Sequence, residues 1–480
     1  MAWHITSVAL IAAIPLFYLV IKQRHKRSAI QHIPGPPSNT WLFGHMQELI
    51  LAHDYGDHEF KWLKTYGPVY RTKGCFGQDR LRVSDPVAMQ YVLNSQNFPL
   101  SPVLQQATKI LAGDNAVLVS DYETHKRLRA GLNNGFNTSA VRSCQSVFER
   151  VAQTTISQKL EAVAGSGSPV DICTILGAAT LETISEGKDT AVFGYSIARL
   201  GDEFLESNLK ITSLSASQSS FQIIADAIAS YLPPWLLSKA IYLPTPVFKI
   251  LLRARYLAEQ LGKQSIREKK DLLQQGVDVN TDMFGFLLES NKAQELISED
   301  EIVAQTQLLL LAGQDTTANT AAFGFLELAK NKKLQDELRL EIYSFSGIEP
   351  RNYDSMPLLN AFIKECLRIY PAVPNADRIA TQDLVIPLSE SLTARTGEKI
   401  THIPVKKGQV VSLGIAAYHR LESRWGKDAN VFRPSRWLDG TVRKGDAIGP
   451  YANLLTFLGG PHTCLGWRFA SVTTLSRYAP

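Results

Sequence analysis

The stretch from Ser298 to about Lys330 limits this chain more than any other. Ser298-Glu-Asp-Glu301 has the form of a capping box, with Ser298 as N-cap and Glu301 three residues on. The helix it opens is expected to run roughly thirty residues, or ~45 Å at about 1.5 Å per residue. Its middle, Leu308-Leu-Leu-Leu-Ala-Gly313, is apolar on every face, so it crosses a protein interior instead of lying on a surface. Burying such a rod takes a large body, and 480 residues can supply one. Gln314, Asp315, Thr316 and Thr317 follow at once. A glycine, an acid and two β-branched hydroxyls are poor choices for the centre of a buried helix. Local rules broken together at one place mark a functional site.

Helical patterning runs from about Asp85 to Phe345, interrupted at Gly165-Ser-Gly-Ser-Pro169 and at Leu232-Pro-Pro234. Tyr70 to Val83 alternates around Gly74 and Gly77 and predicts a β-hairpin; Leu384 to Val411 predicts a small second sheet. The expected class is mainly α with minor β (α+β), one large helical domain over 38–480. Five cysteines without a CxxC pair argue against a disulfide framework or a zinc module and for a reducing compartment. The net charge of +5 shows no nucleic-acid stripe, since much of the excess is Lys22, Arg24, Lys26 and Arg27. These follow an uncharged run from Trp3 to Ile21, close to the ~17–25 residues of a spanning helix. Positive charge after the run, not before it, is the wrong order for a cleaved signal peptide. It predicts a single-pass anchor over 1–21 in the endoplasmic reticulum membrane, with the body cytosolic. A basic, proline-rich linker over 22–37 follows, in which Ile33-Pro-Gly-Pro-Pro37 is a stiff spacer.

Cys464 sits in Phe457-Leu-Gly-Gly-Pro-His-Thr-Cys-Leu-Gly466. Glycines let such a loop bend tightly around a sulfur and aim amide N–H groups at it, which stabilises a thiolate. Phe457 would cover one side of the sulfur. A lone cysteine in a glycine-rich turn has a bland reading as a small buried residue. The spacing F-x-x-G-x-H-x-C-x-G resembles the haem-binding loop of the haem-thiolate monooxygenases, the cytochrome P-450 superfamily, and Ala312-Gly-Gln-Asp-Thr-Thr317 resembles their oxygen-activation segment. The resemblance implies haem b (iron protoporphyrin IX) with Cys464 as axial iron ligand. It further implies Gly313 opening a groove, Thr316 as the alcohol beside dioxygen and Asp315 as the proton relay. The competing reading is a kinked helix whose threonines bond back to preceding carbonyls.

Glu365-Cys-Leu-Arg368 puts a carboxylate and a guanidinium on one helix face and resembles the family's E-x-x-R helix. Phe432-Arg-Pro-Ser-Arg-Trp437 resembles the loop that supplies a second arginine. Glu365, Arg368 and Arg436 would then form a buried structural network. His125-Lys-Arg-Leu-Arg129 resembles the helix that usually carries W-x-x-x-R, with His125 where tryptophan is commoner. Arg378 occupies another propionate-binding position, and His462 replaces the arginine most often found two before the cysteine. Each of these four cations also has a bland surface reading.

By the same resemblance the substrate pocket is lined from Leu308 to Ala312 and from Val373 through Asn375 to Ala376. The Pro99–Leu111 loop and parts of Leu200–Leu232 complete it. Most of these are apolar, which implies a lipophilic small molecule. The implied partner is an NADPH-dependent cytochrome reductase, with cytochrome b5 as an additional donor. The Pro-Gly-Pro-Pro segment and the F-x-P-x-R-W form look similar to those of fungal members acting in secondary metabolism, often on terpenoids. Family members continue several tens of residues beyond the point where this chain stops resembling them, near Ala470. The expected helix after the cysteine is therefore short. Two other functions stand beside the monooxygenase: a haem-thiolate isomerase or dehydratase, and a non-catalytic or unstable truncated haem-binding membrane protein.

Overall fold

The computed structural model describes residues 28–185, 203–204, 206–208, 210–211, 213, 218–242, 245–279, 284–288, 296–345, 352–442 and 447–478. The anchor expected over 1–21, the basic cluster after it and part of the Leu200–Leu232 segment lie outside these residues. Among the described residues no helix is long and apolar enough to cross a membrane. The chain is mostly helical with small sheets, and it divides into two compact units, each discontinuous in sequence.

The first unit comprises residues up to Val103 with Gln218–Leu232 and Asn375–Tyr418. Its alternating runs Val69–Lys73 (β1) and Asp79–Val83 (β2) form the expected hairpin, Val69 opposite Val83. Phe76 and Gly77 turn the connection with φ of 57° and 74°, a left-handed bend that is cheap only for the glycine. Asn375–Ile379 (β3), Leu384–Thr393 (β4), Lys399–Val405 (β5) and Val410–Gly414 (β6) follow. β6 is one of the two inner strands of this four-stranded sheet, parallel to β2 and antiparallel to β3, and all five of its residues are buried. Such a strand, covered on both sides, explains why its sequence does not alternate. β4 and β5 pair as a separate ribbon, the second sheet expected from the sequence.

The second unit comprises Leu104–Ser217, Pro233–Pro374 and the chain from His419 onward. Its principal helices are Tyr122–Leu132 (α1), Ile172–Ser185 (α2), Pro246–Gln274 (α3), Glu299–Lys330 (α4), Lys332–Ser344 (α5), Pro357–Ile369 (α6) and Trp467–Tyr478 (α7). α4 is the axle, with α2, α3, α6 and α7 packed around it. The capping box is complete: Ser298 N–H donates to Glu301 Oε2 at 2.9 Å, and Glu301 N–H to Ser298 Oγ at 3.3 Å. Two glycines let neighbours close on the axle. A Cβ on Gly262 of α3 would stand 2.6 Å from Thr306 Oγ1, and one on Gly313 2.8 Å from Ile184 Cδ1 of α2.

Candidate functional site

The Cys464 loop takes its shape from backbone that side chains would obstruct. A Cβ on Gly459 would lie 2.1 Å from the carbonyl oxygen of Ile448, and one on Gly449 1.7 Å from that of Leu454. Leu458 and Gly460 adopt φ of 56° and 66°, and Cys464 N–H closes the turn on Phe457 O at 2.8 Å. The Cys464 thiol is open to solvent, yet protein surrounds it densely enough that desolvation raises its pKa. The Gly466 N–H and the charge of Arg129 pull the other way and favour the thiolate. Phe457 is buried, 6.3 Å from the Tyr451 ring.

α1 brings its cations to this loop. Asp121 caps it by accepting from Thr124 N–H at 2.9 Å. His125 and Arg129, one turn apart, share a face. The His125 ring lies 4.3 Å from that of His462, centre to centre. Burial, and then the neighbouring Arg129 charge, push the His125 pKa below its usual value, so the ring is neutral near pH 7. Burial also lowers the pKa of Arg129, an effect that Cys464 opposes only in part. The structure thus brings Cys464, His462, His125 and Arg129 together. Arg378 and Asn375 stand on β3 in the other unit. Arg378 is buried, its Nη1 donating to Asp377 O at 3.1 Å. The Asn375 amide is occupied inside the sheet, accepting from Arg82 Nη1 at 2.9 Å and donating to Glu59 Oε2 at 3.0 Å.

α4 is buried along most of its length but open on one stripe, where Ala312 and Asn319 are exposed and Leu308, Asp315 and Thr316 half-exposed. The helix runs unbroken through Gly313. Thr316 Oγ1 donates to Ala312 O at 2.8 Å, and Thr320 Oγ1 to Thr316 O at 3.0 Å. The back-bonded arrangement weighed from the sequence is therefore the one this structure holds, and the Thr316 hydroxyl remains on the open stripe. Val373, expected as pocket lining, is exposed.

Glu365, Arg368 and Arg436 are each fully buried. Glu365 accepts from Arg368 Nε and Nη2 at 2.9 and 2.8 Å, and from Arg436 Nε at 2.9 Å. Two further donors complete the carboxylate, the Arg433 N–H at 2.8 Å and Trp437 Nε1 at 2.9 Å. Arg368 Nη1 reaches the His419 and Ala429 carbonyls at 2.6 Å each. His419 in turn accepts the Leu455 N–H on Nε2 at 2.8 Å, two residues before Phe457. Burial, then the Arg368 and Arg420 charges, hold the His419 pKa well below its usual range, which keeps that nitrogen an acceptor. The network is thus joined to the start of the cysteine loop. Sequence reasoning missed the parts of Trp437 and His419; Trp437 closes the quoted motif but was given no role there, whereas an isolated histidine carries no local signal.

An iron porphyrin asks its protein for an axial donor supported by N–H groups and for cations to meet two carboxylates. Cys464 with Gly466, and Arg129 with the histidine pair, are a donor set of that kind. A family model described as cytochrome P-450 matches residues 34–475. Cytochrome P-450 monooxygenase 205 of Postia placenta is 27% identical over 464 residues, covering 93% of this chain and 84% of that protein. Cytochrome P-450 monooxygenase 219 of the same organism is 30% identical over 487 residues, covering 95% and 88%. Ganoderic acid synthetase of Ganoderma lucidum is 28% identical over 502 residues, covering 97% and 89%.

Proposed function

The chain belongs to the cytochrome P-450 family, of fungal type, and from that premise we propose how its own residues serve the reaction. The protein is a monooxygenase acting on a lipophilic small molecule, and like the rest of its family it uses haem. Bound haem supplies the oxygen-activating redox chemistry. Cys464 would hold it through its thiolate, which the Gly466 N–H and Arg129 favour. Arg129, His125 and His462 meet the propionates; a neutral His125 serves as a hydrogen-bond donor, not as a charge. The same role for Arg378 rests on the sequence resemblance alone.

Asp315 holds a proton and passes it to Thr316 Oγ1. In this state that hydroxyl donates to Ala312 O, so it has to turn from the helix carbonyl to deliver onward. Ala312, Leu308 and Val373 offer apolar surface to the substrate. The observation that carries the reading is the cluster of Cys464, the Gly466 N–H, Arg129 and the two adjacent, mutually tilted imidazoles. Retention of the acid–alcohol pair favours oxygen insertion over isomerisation. A terpenoid of fungal secondary metabolism is the proposed substrate class, and an NADPH-dependent reductase, with cytochrome b5 as a further donor, the proposed electron source. Reconstitution with that reductase tests this: product should form only with NADPH and dioxygen. Thr316→Ala and Asp315→Asn should lower product per NADPH consumed. Turnover of a peroxide substrate without NADPH would overturn the reading in favour of an isomerase.

The run Trp3–Ile21 with its trailing basic cluster supports a single-pass anchor in the endoplasmic reticulum membrane, with the linker over 22–37 and the catalytic domain over 38–480 on the cytosolic side. Alkaline extraction of microsomes should leave the full chain in the pellet and release a chain lacking residues 1–27. Release of both would remove the anchor.

A further inference from the structure

The closed side of α4 holds a row of amides with no part in the reading above. Asn208 and Gln314 are almost fully buried, as is Gln307. Asn208 Nδ2 donates to Gln314 Oε1 at 2.9 Å, and Gln307 Nε2 donates to Asn208 Oδ1 at 3.3 Å. Gln307 Oε1 is buried without a hydrogen-bond partner among the described residues. Three buried amides are a costly way to fill space that leucines would fill better, and one acceptor left over raises that cost. Reversing all three amides preserves the row and only turns the leftover acceptor into a leftover donor, so the argument does not depend on their orientation.

What the row fixes is helix rotation. Gln307 and Gln314 are seven residues apart and lie on one face, so Asn208 grips α4 at two points about two turns apart. Gln314 precedes Thr316 by two residues, which is about 200° around the helix axis. Holding Gln314 on the closed side therefore points Thr316 to the open stripe, where it is half-exposed beside Ala312. Slippage by one residue would turn the axle by about 100° and detach both glutamines. Apolar packing alone is poor at resisting this, because leucines at 308–311 cover the helix all round and accept several rotations.

We propose that Asn208 and Gln314, with Gln307, are positioning residues that set the rotation of the helical turn carrying Asp315 and Thr316. The proposal rests on the reading of those two residues as the proton-delivering pair. It is tested on the full haem-loaded chain with Asn208→Leu, Gln314→Leu and the exchanged pair Asn208→Gln/Gln314→Asn, beside Thr316→Ala and Asp315→Asn. The first readout, independent of turnover, is amide hydrogen exchange over residues 312–318; the second is the share of NADPH electrons lost as hydrogen peroxide. Each leucine variant should keep its haem spectrum, speed exchange over 312–318 by about tenfold or more, and raise the peroxide share. The exchanged pair should restore both readouts towards wild type. Leucine variants with wild-type exchange would overturn the proposal, as would slow exchange in a variant whose peroxide share rises. If Thr316→Ala and Asp315→Asn leave the peroxide share unchanged, the proton-delivery reading falls. The amide row is then judged by the exchange readout alone, where faster exchange upholds it and unchanged exchange sinks it.

Discussion

Glu365→Leu would remove the one anion that two fully buried guanidiniums share. Leucine is close to glutamate in volume, so the loss is electrostatic and not a cavity. Arg368 keeps its three backbone carbonyls and Arg436 keeps Asp428, but neither retains a buried counter-charge. Breaking a buried pair from one side costs about 3–5 kcal/mol. The Arg433 N–H and Trp437 Nε1 lose their acceptor at the same time, each worth about 1–3 kcal/mol if left dry, although such terms do not add in full. Against a total stability of about 5–15 kcal/mol, about a fifth or more is forfeited. Asp428→Asn is the control, because Asp428 lies at the rim of the network, more than a third exposed, and should cost under about 1 kcal/mol. Urea unfolding of the haem-loaded chain, followed by far-ultraviolet circular dichroism and by the haem band, measures both. A Glu365→Leu midpoint equal to that of Asp428→Asn would refute the claim that this carboxylate holds the region together.

Trp437→Phe keeps the packing and removes only the Nε1 donor, so it should cost about 1–3 kcal/mol in the same titration, well short of Glu365→Leu. Gly324→Ala forces a methyl to within 2.0 Å of Tyr478 Oη. It should destabilise by about 1–3 kcal/mol and be partly relieved by Tyr478→Phe; an unchanged midpoint would show that α7 does not pack there. His419 is buried neutral with a folded-state pKa far below its unfolded one. The unfolded chain therefore takes up the proton first, so the contribution is full above about pH 6.5 and is lost as pH falls below it, by up to about 1.4 kcal/mol per pH unit. Urea midpoints at pH 7.5, 6.5 and 5.5 should decline; a flat series in wild type would contradict the assignment.

Elements written in local code were readable from the sequence. The capping box at Ser298 and Glu301 marks the start of α4 where it is found, and the glycines between Tyr70 and Val83 mark a real hairpin. The i,i+3 pair Glu365–Arg368 also stands where its apolar neighbours placed it, buried on α6. Long-range pairing was not readable. Asn208 and Gln314 are 106 positions apart, and a lone asparagine has no periodicity to betray it. His419 acts through Leu455, 36 positions on, for the same reason. Asn375 illustrates the converse, since its strand was foreseeable but the spending of its amide on Arg82 and Glu59 depends on strands that meet only in the folded sheet. The division into two units is invisible along the chain because each unit is assembled from separated segments.

The central claim is that Cys464 delivers a thiolate to haem iron within the cluster of Gly466, Arg129, His125 and His462. A reduced, carbon-monoxide-bound difference spectrum of this chain in microsomes tests it most directly, with Cys464→Ser alongside. A strongly red-shifted Soret band in the wild type, absent from Cys464→Ser, is the predicted result. No haem band, or a band typical of a protonated or displaced cysteine, would contradict the account.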